Sequence, residues 1–138
     1  MTTTERAHRA VPGSALALIA QSRVVLAEAT MAWDPGERFR LAHLAALRAA
    51  AAVVADRGRP AGARRRLMSV WVLLDTIAPE LSDWSRYFAA GAPLRAAVEA
   101  GARHAVGRRA ADDQVRSAEE FVLTIERTLG MLATPLAS

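Results

Sequence analysis

Histidine, the side chain that titrates nearest neutral pH, occurs at positions 8, 43 and 104, and cysteine is absent. Without thiols the chain can build neither a disulfide framework nor a thiolate zinc or iron–sulfur site. The three histidines lack the spacing of metal ligands, so no metal site is expected. Glu119 and Glu120 are adjacent on a helical segment, which points them about 100 degrees apart and makes a poor metal pair. Asp112 and Asp113 fit a helix start, where negative charge is favoured by the helix dipole. Glycine-rich phosphate loops, nucleophile elbows and kinase-like motifs are missing. The pattern predicts no cofactor and argues against a free-standing enzyme.

One combination could do acid–base work on a phosphodiester, namely Arg38 or Arg40 with His43. Five residues along a helix separate two side chains by about 140 degrees, so Arg38 and His43 would not converge within one chain. Arg40, three residues from His43, is the better neighbour. His43 shares the apolar side of its segment with Phe39, Ala46, Leu47 and Ala50. The stronger reading is therefore a hydrogen-bonded interior or interface histidine.

Arginine carries the other chemistry. The chain has 18 basic and 14 acidic residues, a formal net charge of +4, and every basic residue is arginine. A planar fork of permanent donors suits phosphate, although an alanine-rich, arginine-only composition is also what high-GC coding produces. Two clusters stand out: Arg57, Arg59, Arg64, Arg65 and Arg66, and then Arg103, His104, Arg108 and Arg109. On one face they would neutralise phosphates in a salt-dependent way with little base preference; otherwise they are solvated loops that keep the protein soluble. The aromatic residues Trp71, Trp84, Tyr87 and Phe88 have helical spacing and read as core before base-stacking platforms.

The elements that position these residues are helical. Leu18, Ile19, Val25, Leu26, Ala29 and Trp33 predict a buried stripe on a helix from about Ala15 to Trp33, with Ser14 as its cap. Asp34-Pro35-Gly36-Glu37 is the best start signal, a capping carboxylate followed by proline at the first helical position, and predicts a helix to about Asp56. Gly58, Pro60 and Gly62 mark an exposed connector. Leu67, Val70, Trp71, Leu74 and Ile77 give a third helix closed by Pro79. A short aromatic helix should end at Gly91, a further short piece should run from Pro93 to about Ala100, and a last long helix from about Ala111 to Leu129. Neither a coiled-coil heptad nor a strand-like alternation is visible, so the expected fold class is all-α.

At 138 residues one core is expected. The expected division is a flexible arm over 1–13, a helical bundle over 14–133 and a tail over 134–138. Arg6 and Arg9 ahead of Ala15 to Ala20 imitate a signal peptide, but Gln21, Ser22 and Arg23 cut the apolar run short. The expected location is the cytoplasm, with no membrane contact.

Taken together, the run from Glu37 to Ala50, the arginine loop before Ser69-Val70-Trp71-Val72-Leu73-Leu74, Pro79-Glu80-Leu81-Ser82-Asp83-Trp84, and Ala118-Glu119-Glu120-Phe121 resemble an actinobacterial branch of the HEPN superfamily over roughly Ala15 to Leu129. The resemblance implies an up-and-down bundle of four main helices with a short extra helix, commonly a homodimer, among proteins associated with nucleotide and RNA binding or RNA cleavage. Catalytic members carry an arginine, four to six residues and then a histidine near the start of a late helix. The corresponding segment here, Arg103 to Gln114, departs from that pattern: no histidine follows Arg103, Arg108 or Arg109 at that distance.

The functional expectation is a non-catalytic or weakly catalytic HEPN-like domain that binds RNA or single-stranded nucleic acid through its arginine loops. Two alternatives stay open: a protein-interaction adaptor for an enzyme of nucleic-acid metabolism, and a ribonuclease using the displaced Arg38 or Arg40 with His43.

Overall fold

A computed structural model describes residues 10–60, 68–102 and 104–132. The elements run α1 (Gly13–Met31), α2 (Pro35–Arg57), α3 (Val70–Ile77), a 3-10 turn (Pro79–Leu81), α4 (Ser82–Glu99) and α5 (Arg108–Thr128), and the described residues contain no strand. Four long helices and one of eight residues make the all-α bundle.

The start of α2 follows local chemistry. Asp34 accepts the Glu37 amide at 3.0 Å, satisfying one of the orphan donors of the first turn, and Pro35 occupies a position whose amide would have had no partner. Ser69 caps α3 in the same way, accepting from Val72 at 3.2 Å. Gly58 ends α2 with φ of 84°, a conformation that disfavours any residue with a Cβ.

α2 is the centre, and each of the other helices packs against it. Ala42, Ala45, Ala46, Ala49, Ala50 and Ala52 are completely buried along it. Small side chains let neighbouring backbones approach closely, and larger groups from the partners fill the remaining space. Phe88, Phe121, Leu73, Leu74 and Ile125 are the largest fully buried side chains, each stabilising the fold by about 1.5–3 kcal/mol. Trp71, Phe88 and Phe121 meet in one aromatic cluster, with ring centroids 5.1–6.3 Å apart. The seam expected on the last helix, Val115, Ala118, Val122, Ile125 and Leu129, is buried.

Several expectations are corrected. Trp33 lies beyond the end of α1 and is 89% exposed; the chain turns into the Asp34 cap before the indole can reach the core. Ser14 lies inside α1, which opens at Pro12 without a side-chain cap. α5 begins at Arg108, so Asp112 and Asp113 fall in its second turn. Tyr87 is 43% exposed. The two short pieces expected around Gly91 and Pro93 are one continuous helix, α4.

That continuity has a packing cause. Pro93 removes a single amide, the one that would have bonded the carbonyl four residues back, while α4 is held down on α2 at Gly91. A Cβ at Gly91 would lie 3.4 Å from both His43 Cδ2 and Phe39 Cζ. The site therefore has room for one methyl group and no more. Gly91→Ala should be neutral or gain up to about 1 kcal/mol from helix propensity, whereas Gly91→Val should lose about 1–3 kcal/mol through overpacking. Urea midpoints of the two variants check this, and equal stabilities would refute the close approach.

Candidate nucleic-acid interface

The arginines and histidine singled out for catalysis are held apart. Arg38 pairs with Asp112 of α5 at 2.9 Å, and Arg40 turns back one helical turn to Glu37 at 2.5 Å. His43 is fully buried. Its Nε2 lies 2.8 Å from the Phe88 carbonyl, and its Nδ1 lies 3.2 Å from Arg95 Nη1. A guanidinium only donates, so Nδ1 is the acceptor and Nε2 carries the proton. The imidazole is thus a neutral, single-tautomer crosslink between α2 and α4, ringed by Phe39, Trp71 and Phe88. Burial is the largest cause of its lowered pKa; the Phe88 carbonyl opposes the shift and the Arg95 charge adds to it. A phosphodiester cannot reach this ring.

Arg95 is the partner that sequence reasoning missed. Two signals pointed to it: a buried histidine needs two hydrogen-bond partners, and Arg95 stands four residues before Glu99, with which it pairs at 3.4 Å.

The described members of the two arginine clusters sit at opposite ends of α2. Arg38 with Asp112 fixes the start of α5 beside the start of α2, whereas Arg57 is the last residue of α2 and Arg59 follows it. At 1.5 Å per residue the separation is on the order of 30 Å. Arg57 is committed to the fold: Nη1 donates to the Ile77 carbonyl at 3.1 Å, and its side chain, only 15% exposed, pairs with Glu80 at 2.6 Å. Arg59 is exposed. Arg64, Arg65, Arg66 and Arg103 lie outside the described residues.

At the other end His104, Arg108 and Arg109 are all exposed. His104 lines a cleft of about 730 Å³ whose opposite wall is Trp33 with Asp34, Gly36 and Glu37; Val98 and Val106 line it as well. Phe39, Val106 and Ala111 form a small buried cluster with Leu94 and Val98, which joins the cleft through Val98 and Val106. Arg108 and Arg109 occupy the first turn of α5, where the helix dipole disfavours positive charge and no acid offsets them. Asp112 and Asp113, one turn further, are paired with Arg38 and Arg116. Among the described residues no group of three or more histidines and acids could hold a metal ion, and no helix is long and apolar enough to cross a membrane.

His43 makes stability pH-dependent, with a definite sign. Its native pKa is below the ordinary value of 6.5, so between those two values the unfolded chain binds more protons than the native one. Stability should be fully present above about pH 6.5 and fall as pH is lowered through that window. Urea midpoints at about pH 7.5 and about pH 5 should show this drop in the wild type and a smaller drop in His43→Gln. An unchanged drop in the variant would assign the effect to other groups.

A sequence model of the SAV_6107-like HEPN family matches residues 29–126. No curated protein and no solved structure matches the chain. The matched span runs from the last three residues of α1 to near the end of α5 and so takes in all of α2, α3 and α4. With its all-helical core and this match over most of its length, the chain belongs to the SAV_6107-like HEPN family.

Proposed function

We propose that this HEPN domain binds RNA or another single-stranded nucleic acid at the end of the bundle where α2 and α5 begin, without cleaving it through Arg38, Arg40 or His43. The observation that carries the reading is Trp33, an indole 89% exposed on the rim of a cleft. A large aromatic side chain is costly to leave in water, since burial would stabilise the fold by about 1.5–3 kcal/mol. A base stacked on the indole would cover it, and every base has the flat face that this requires.

Charge supports the same place. Arg108 and Arg109 follow Val106 closely and stand exposed on a helix end that electrostatics alone would leave acidic. Their guanidinium groups would meet phosphates on either side of a stacked base. The reading moves the binding surface away from Arg57, whose guanidinium already serves Ile77 and Glu80. Cleavage through His43 has nothing to recommend it, because the ring is buried and both of its nitrogens are committed.

A fluorescently labelled single-stranded RNA, titrated at several salt concentrations, tests the proposal. Replacing both Arg108 and Arg109 with alanine should reduce the salt slope by about 0.7 for each phosphate that is no longer neutralised. Trp33→Ala should weaken binding by about 5- to 100-fold while leaving that slope unchanged. Arg116→Ala, an exposed arginine further along α5, is the control. Wild-type protein that binds no RNA at low salt, or variants that bind as tightly as wild type, would end the proposal.

A further inference from the structure

The cleft beside Trp33 is lined by two acids, Asp34 and Glu37, and they differ in what they have left to offer. Glu37 gives both carboxylate oxygens to Arg40, which donates through Nε and Nη2. Asp34 accepts one hydrogen bond, from the Glu37 amide to its Oδ2, and no ion pair among the described residues engages it. An ionised carboxylate accepts at about four lone-pair sites, so Oδ1 is open and Oδ2 keeps room for a second donor. The group is also exposed and well placed. A Cβ at Gly36 would lie 3.3 Å from Asp34 Oδ2 and 3.4 Å from Val98 Cγ1, which sets the carboxylate and the Val98 wall of the cleft against the same glycine. Spacing in the sequence accounts for Asp34 as a helix cap, and capping uses only one of its oxygens.

An unpaired carboxylate repels a phosphate and favours a group that only donates. The phosphates of a bound strand would therefore stay outside the cleft with Arg108 and Arg109, and a base stacked on Trp33 would turn its edge to Asp34. Unstacked bases are told apart at that edge. Guanine offers two adjacent donors, N1–H and the 2-amino group, spaced to meet the two oxygens of one carboxylate. Adenine and cytosine place an amino group next to a ring nitrogen that accepts, and this nitrogen would meet the carboxylate lone pair to lone pair. The one N–H of uracil lies between two carbonyls. We infer that Asp34 selects guanine, with N1–H and the 2-amino group of a guanosine in the strand donating to Oδ1 and Oδ2 while the Trp33 indole stacks on the ring. This rests on the Trp33 cleft being the nucleic-acid surface and adds the base that the surface prefers. Hydrogen bonds to a charged acceptor are about twice as strong as neutral ones, and a bidentate pair distinguishes one base from another by about 5- to 150-fold.

Three labelled oligouridine strands, identical except for guanosine, inosine or adenosine at the centre, test it on the full chain at one salt concentration. The guanosine strand should bind about 5- to 150-fold more tightly than the adenosine strand. Inosine, which keeps N1–H and lacks the amino group, should fall between them. Asp34→Asn should fold as the wild type does by circular dichroism, because asparagine caps a helix as well as aspartate. With its Oδ1 on the Glu37 amide, that side chain turns an NH2 group to the cleft. The variant should lose the guanosine preference while binding the adenosine strand no more weakly than wild type does. Asp113→Asn, at an acid of α5 paired with Arg116, should keep the preference. Wild type that binds guanosine no better than inosine or adenosine, a preference that survives Asp34→Asn, or equal weakening of all three strands in that variant would each overturn the inference and leave the binding surface standing. Failure of every strand to bind wild type would overturn both.

Discussion

The bundle depends on how closely its neighbours approach α2. A helix lined by six completely buried alanines adds its own Phe39, Leu41, Val53 and Val54 to the core, and the rest of the apolar area comes from what packs onto it: Phe88 from α4, Phe121 and Ile125 from α5, Leu73 and Leu74 from α3. Because those side chains fill the space that small residues leave open, tight packing and close backbone approach are one requirement. His43 is where that requirement meets a polar group. Placed among alanines at the point where α4 comes nearest, the ring is fully desolvated, and burial of an unbonded imidazole would be unfavourable. The Phe88 carbonyl and Arg95 remove that penalty, so the packing dictates the protonation state.

Much of this was legible in the residues. The Asp34-Pro35-Gly36-Glu37 start, the apolar face of α2, the seam of α5 and the inward placing of His43 all follow from spacing and cap chemistry, because those elements obey local rules. The failures come where tertiary contacts overrule local ones. Gly91 and Pro93 are helix breakers by propensity, yet α4 runs through both because at Gly91 it packs on His43 and Phe39 of α2, with room for nothing larger than a methyl group. Trp33 has the right spacing to be core, but the Asp34 cap ends the helical path two residues too early for it. The site was legible in part. His104, Arg108 and Arg109 were visible as a charge cluster, whereas Trp33, the group that makes their neighbourhood a cleft, was assigned to the interior.

Electrostatics divides the arginines into two kinds. Arg23, Arg38, Arg40 and Arg57 each reach a carboxylate, and three of those ties join different elements of the fold. Their charge is spent internally, which is why a count of basic residues overstates what a ligand would meet. Arg108 and Arg109 differ in kind: they stand at the positive end of a helix, and the nearest acids along α5 are already paired.

Pro93 adds a mechanical property to this arrangement. The rung it deletes lies between two working parts of α4: the stretch before it presents the Phe88 carbonyl to the buried imidazole, and the stretch after it carries both Arg95, which holds the other ring nitrogen, and Val98, which walls the cleft. Arg95 and Val98 stand three residues apart on the same turns of α4, so any outward movement that widened the cleft would also draw the guanidinium off the ring, and the width of the opening is tied to an interior polar contact.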